Sequence, residues 1–151
     1  MDDSRASSVM KKDLKVTYLD SDNIVRFGFD SPPSIMPIRG FSNLIQKIII
    51  YLLTEIGSNY FSPTIGSNFS TSNRINWSRD NDGVIKAMMS SAVLQVENKI
   101  KQQQALESDL IPSEILKSLE IDTIDYDQIN YIWYLTIMVN NLAGQSFTVN
   151  I

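Results

Sequence analysis

Apolar residues recur at helical spacing in one long central segment. Phe41, Leu44, Ile45, Ile48, Ile49, Leu52, Leu53 and Ile56 follow a three-to-four spacing and predict a helix from Gly40 or Phe41 to Ile56. Ile48, Ile49 and Ile50 are β-branched and favour strand, but the length and the flanking spacing favour helix. Gly57 is placed to end it in a left-handed turn. A helix this apolar is expected to be covered on more than one side. A second helix is predicted from an N-cap at Asn81 or Asp82 to about Gln104, with Ile85, Met88, Ala92 and Val96 as its core seam. Lys99 and Lys101 lie near its end, where the helix dipole favours cations.

Shorter alternating segments flank these helices. Val16–Leu19 and Ile24–Phe29, joined by the turn Asp20–Asn23, read as a small hairpin. Residues 30–40 hold Pro32, Pro33 and Pro37 and predict an extended connector. Ile111–Glu114 starts a short turn or helix, with Ile115, Leu116 and Leu119 facing inward. Residues 121–129 read as a strand or an extended lead-in. Residues 131–139 and 146–151 are strands about a turn at 142–145, with Phe147, Val149 and Ile151 on one side. The class is α+β: a small N-terminal hairpin, two long helices and a C-terminal antiparallel β-hairpin. Residues 1–12 are expected to form a flexible segment, and 13–151 one domain.

Residues 57–80 form a long Gly-, Ser-, Asn- and Thr-rich loop, a kind that commonly binds something. It carries an echo: Ile56-Gly57-Ser58-Asn59-Tyr60 and Ile65-Gly66-Ser67-Asn68-Phe69. Tyr60, Phe61 and Phe69 are expected to anchor it on the core.

Composition narrows the chemistry. The 151 residues include no Cys and no His, which excludes disulfides, thiolate zinc sites, His-based triads and a His pH switch. Residues 81–151 carry all of the net acidity, and neither half has the clustered positive charge that nucleic-acid binding needs. The longest apolar run, residues 48–53, is far short of a membrane span, and Met1–Arg5 does not read as a signal peptide. Asp122, Asp125 and Asp127 lack calcium-loop spacing. Asn81 and Asp82 suit helix capping. Glu55 is expected to pair with an Arg such as Arg74 if it is buried. Trp77 and Trp133 suit core or interface anchoring. No cofactor, metal or catalytic residue is expected, and the remaining enzyme reading is a carboxylate-based hydrolase.

The segment Arg39–Ile48, followed by Leu52-Leu53-Thr54-Glu55-Ile56-Gly57 and Tyr60–Phe69, resembles the baseplate wedge and sheath-initiator family of contractile-tailed bacteriophages and related injection systems. The resemblance rests on Gln46, Leu53, Thr54, Gly57, Phe61, Pro63 and Gly66. It covers roughly residues 16–104 by order of elements, and the closing strands more loosely. The family often adds an acidic residue and an Arg beside the loop proline; here Arg74 or Arg79 comes later, and residues 107–125 look like an addition. The resemblance implies a structural part of the virion's tail baseplate, assembled in the host cytoplasm and present in several copies around a six-fold axis. Its implied partners are other wedge proteins, the sheath protein and hub or tube proteins, with no nucleic acid and no membrane. Arg74, as the later counterpart of the family's loop arginine, is an interface candidate; the implied strand pairing with the first sheath ring adds Trp133, Phe147, Val149 and Ile151. Another tail-completion protein, or an α+β adaptor outside tails, is the alternative.

Overall fold

The computed structural model describes residues 40–151 with their side chains, and residues 13–14, 17–19, 25–27 and 37–38 as backbone strands. Residues 1–12, the turn at 20–23 and most of the connector at 30–40 lie outside the described residues.

Four short strands come first: β1 (Asp13–Leu14), β2 (Thr17–Leu19), β3 (Val25–Phe27) and β4 (Pro37–Ile38). β2 pairs antiparallel with β3, and β1 with β4. Helix α1 follows (Phe41–Leu53), then a short α2 (Phe69–Asn73) and the long α3 (Asp82–Gln104). A single 3-10 turn (Pro112–Glu114) leads into β5 (Leu116–Asp127), β6 (Ile132–Asn141) and β7 (Ser146–Asn150). These three form an antiparallel sheet in the order β5-β6-β7. The molecule is thus mixed α+β.

One apolar cluster joins the helices to the sheet. Leu44, Ile48, Ile49 and Leu52 of α1 meet Ile85, Met89, Ala92, Val93, Val96 and Ile100 of α3. The sheet adds Leu116, Leu119, Trp133, Leu135, Ile137, Val139 and Val149 to the same cluster. β6 shows strict alternation, because its odd positions face the helices and its even ones do not.

Four expectations need correction. α1 stops at Leu53, not Ile56. Thr54 turns extended, and Glu55 forms an isolated parallel bridge with Ser67. Gly57 therefore belongs to a later turn and does not cap the helix. The seam of α3 runs through Met89 and Val93 where Met88 was expected, and Met88 is only half-buried. Asn81 precedes α3 but does not cap it with its side chain. Its Oδ1 accepts from the Ser78 N–H, and its Nδ2 donates to the Asn76 carbonyl, so the amide is committed to the preceding turn. The fourth correction concerns Leu116 and Leu119: the expected turn ends at Glu114 as a 3-10 turn, and both residues belong to one strand, Leu116–Asp127, which takes in most of the strand expected at 121–129.

The reason lies in two bulges. The register shifts between Leu116 and Ser118, and again between Ile121 and Thr123. Each bulge adds a residue and reverses which parity faces inward. Leu116, then Leu119 and Ile121, then Ile124 and Tyr126, all reach the core side. A spacing of three between Leu116 and Leu119 is produced here by a bulge, not by a helical turn.

Candidate strand-addition site

β7 is an edge strand: among the described residues it pairs only with β6. Its polarity follows from the hydrogen bonds. Leu135 and Ile151 exchange both main-chain bonds at 2.9 Å, and the Asn141 N–H donates to the Gln145 carbonyl at 3.1 Å. Odd positions of β7 therefore turn their main-chain groups toward β6, and Ser146, Thr148 and Asn150 turn theirs outward.

The two edges of the sheet are built differently. β5 carries Lys117, Glu120, Asp122, Asp125 and Asp127 along with its two bulges. Charges and bulges are the usual protections against edge-to-edge pairing. From Asn141 to Ile151 the chain has no charged side chain and no proline. Of the two edges of this sheet, the β7 edge has neither a bulge nor a charged side chain. The turn that sets it is firmly held. Asn141 is buried; its Nδ2 donates to the Ser113 carbonyl and to Gln145 Oε1, and its Oδ1 accepts from the Gln145 N–H. Gly144 takes φ 81°, the left-handed conformation this tight turn requires.

A second exposed feature is the loop after α1. Ser67, fully buried, donates from Oγ to the Leu52 carbonyl and accepts from the Phe69 N–H, so it serves an orphan carbonyl of the helix end. The Ser67 N–H reaches the Thr54 carbonyl at 2.9 Å. Lys99 of α3 clamps the far side, donating to the Thr64 and Gly66 carbonyls, both at 2.8 Å. Gly57 N–H closes onto the Pro63 carbonyl. Tyr60 and Phe61 sit at the tip of this tied loop, 91% and 92% exposed, in an edge-to-face pair. The expectation that they anchor the loop is overturned; Phe69 alone of the three is buried.

The sequence-derived candidates fall into two groups. Thr54, Gly57, Pro63 and Gly66 come together at the end of α1, with Leu53 half-buried beside them on the core. Gly66 lies so close over Thr54 that an added Cβ would stand 2.4 Å from its carbonyl oxygen. Gln46 is 1% exposed within α1. Phe61 and Pro63 are on the surface. Arg74 is exposed and pairs with Glu55 at 3.3 Å, although Glu55 is itself partly exposed, so the pair is worth little. The second group lies in the sheet. Trp133 and Val149 are buried, and Phe147 and Ile151 pack against the core. Their side chains are inward, so what this group offers a partner is the main chain of β7.

Trp133 ends an aromatic stack: Trp77 lies on Tyr126 and Tyr126 on Trp133, with both pairs of ring centres 4.9 Å apart. Trp77 Nε1 donates to Asp82, and this bond, more than the Lys86 partner, holds the Asp82 carboxyl below its usual range. Asp127 is held low by the Asn130 side chain and by the Ile129 and Asn130 N–H groups, which lock the β5–β6 turn. Asp127 is thus employed in the turn, and no group of three carboxylates among the described residues is arranged to hold a metal ion. No helix of the described residues is long and apolar enough to cross a membrane.

Ser67, Gln104 and Asn141 were not singled out by sequence reasoning, and Lys99 was assigned only to the helix dipole, not to the loop carbonyls it binds. The repeated Gly-Ser-Asn was the available signal for Ser67. Gln104 spans the start of β5, donating to the Glu114 carbonyl and accepting from the Leu116 N–H; nothing in the run Gln102-Gln103-Gln104 distinguished it. No protein-family model and no curated protein sequence matches this chain.

Proposed function

We propose that this chain is a structural, non-enzymatic component of a contractile-tail baseplate. It joins wedge subunits near the central hub or tube and helps start the sheath by accepting a partner strand. The observation that carries this reading is the contrast between the sheet edges: β5 is charged and bulged, whereas β7 has no bulge and no charged side chain. An edge strand left without protection is suited to β-augmentation, where main-chain bonds supply affinity. The resemblance across Gln46, Leu53, Thr54, Gly57, Phe61, Pro63 and Gly66 supports the same reading. The small N-terminal hairpin, the two long helices and the closing strands follow the order that this resemblance implies. The tied loop with its two exposed aromatics is a second place for a neighbour, since aromatic anchors dominate many interfaces.

The test is tail assembly with Thr148→Pro. Proline removes one outward N–H of β7 and is tolerated at a solvent-facing edge position. Electron microscopy of tails assembled with this variant is expected to show baseplates without extended sheaths. Sheaths of normal length and number, formed around a folded variant, would overturn the reading.

A further inference from the structure

We propose that the free chain pairs with a second copy of itself through β7, as an antiparallel two-fold dimer centred on Thr148. This goes beyond the baseplate role and does not depend on it; it needs only the open edge.

The strand is self-complementary. Thr148 is the middle residue of Ser146–Asn150, and Ser146, Thr148 and Asn150 are the residues whose main-chain groups point outward. A two-fold axis at Thr148 places Ser146 opposite Asn150 of the second copy, and Thr148 opposite its own counterpart. All three are then in hydrogen-bonded pairs, so every outward N–H and C=O of the strand finds a partner. Shifting the register in either direction leaves part of the strand unpaired or draws in the turn at Gly144.

Side chains agree with this register on both faces. Ser–Asn and Thr–Thr neighbours meet on the polar face, where such cross-strand pairs are favourable. On the core side, Phe147 comes beside Val149 of the second copy, which extends the apolar layer. Phe147 is only half-buried in one chain, so it has apolar surface left to cover.

Charge permits the pairing. No charged residue lies between Asn141 and Ile151. The acidic β5 is two strands away from the edge, so the two β5 strands of a dimer stand five strand spacings apart. That is roughly 24 Å at about 4.8 Å each, well beyond a screening length of about 8 Å in physiological salt. A five-residue edge offers less than the roughly 1,200–2,000 Å² that a stable interface buries. The dimer is therefore weak and reversible, able to shield the edge and to yield it to a better partner strand.

Sedimentation equilibrium of the full chain, from micromolar to millimolar concentration, tests this. The mass is expected to rise with concentration from 17.1 kDa toward twice that value. Thr148→Lys places two ammonium groups across the axis and is expected to weaken association at least about tenfold. Ser91→Lys, on the exposed side of α3, is expected to associate as the wild type does. Amide exchange of the wild type gives a reading that needs no variant: the Thr148 and Asn150 amides are expected to slow as concentration rises. The proposal is overturned by a wild-type mass that stays at 17.1 kDa throughout. It is equally overturned by unchanged association in folded Thr148→Lys, by equal loss in Ser91→Lys, or by exchange at Thr148 that ignores concentration.

Discussion

Gly66 is the residue on which the end of α1 depends most sharply. It takes φ 116°, and an added Cβ would meet the Thr54 carbonyl oxygen at 2.4 Å, an atom that cannot move aside. Gly57 also has positive φ, but a Cβ there meets nothing within 4 Å. Gly66→Ala is therefore expected to cost about 3 kcal/mol from strain and overpacking together, and Gly57→Ala about 1 kcal/mol from conformation alone. Urea denaturation of both variants measures the difference, and equal costs would refute the close approach. Asp82 and Asp127 give the molecule a second residue-level signature. Both carboxyls titrate below their usual range in the folded chain because hydrogen bonds favour the charged form. Depressed folded values mean that their contribution is present above the ordinary carboxylate pKa of about 3.9 and is lost as pH falls through the folded values. Stability is expected to decline on acidification below about pH 5, and less steeply in Asp82→Asn with Asp127→Asn. Urea midpoints followed from pH 7 downward check this; parallel curves would contradict it.

At the scale of elements, the loop after α1 separates anchoring from display. Phe69 is buried and Tyr60 and Phe61 are not. Phe69→Ala is expected to cost about 3–5 kcal/mol, whereas Tyr60→Ser with Phe61→Ser should change stability by no more than about 0.5 kcal/mol. Thermal melts of the two variants decide this. The same loop shows why parts of the fold were legible in the sequence and parts were not. The body of α1 follows its own periodicity, and so does most of α3. The end of α1 does not, because Ile56 continues the spacing while the Glu55–Ser67 bridge pulls the chain away. β6 and β7 were readable from alternation. The first part of β5 was hidden, and only 121–129 was read as a strand or lead-in, because two bulges replace alternation with the sequence 116, 119, 121, 124, 126. The clamps were hidden for a different reason: Lys99, Gln104 and Asn141 bind main-chain atoms distant in sequence or across a turn, and local spacing carries no trace of such bonds. In the sheet, the period-two pattern identified Phe147, Val149 and Ile151 as a set, but not that their side chains are spent on the core.

At the scale of the whole molecule, the distribution of charge and hydrogen-bonding edge decides how it meets others. One face of the sheet is sealed by α1 and α3, and one edge is defended by charge and bulges. Among the described residues, the β7 main chain and the aromatic tip at Tyr60 and Phe61 are left open. In the proposed baseplate role, such a part would transmit load through strand pairing and packing. On the two proposals, this edge goes to a second copy in the free chain and to another protein in the assembled baseplate. The most direct measurement is an electron cryo-microscopy map of the assembled baseplate containing this chain. The account predicts a fourth strand, from another tail protein, hydrogen-bonded along Ser146, Thr148 and Asn150. A β7 edge left open to solvent in the assembled particle, or the absence of the chain from purified baseplates, would contradict it.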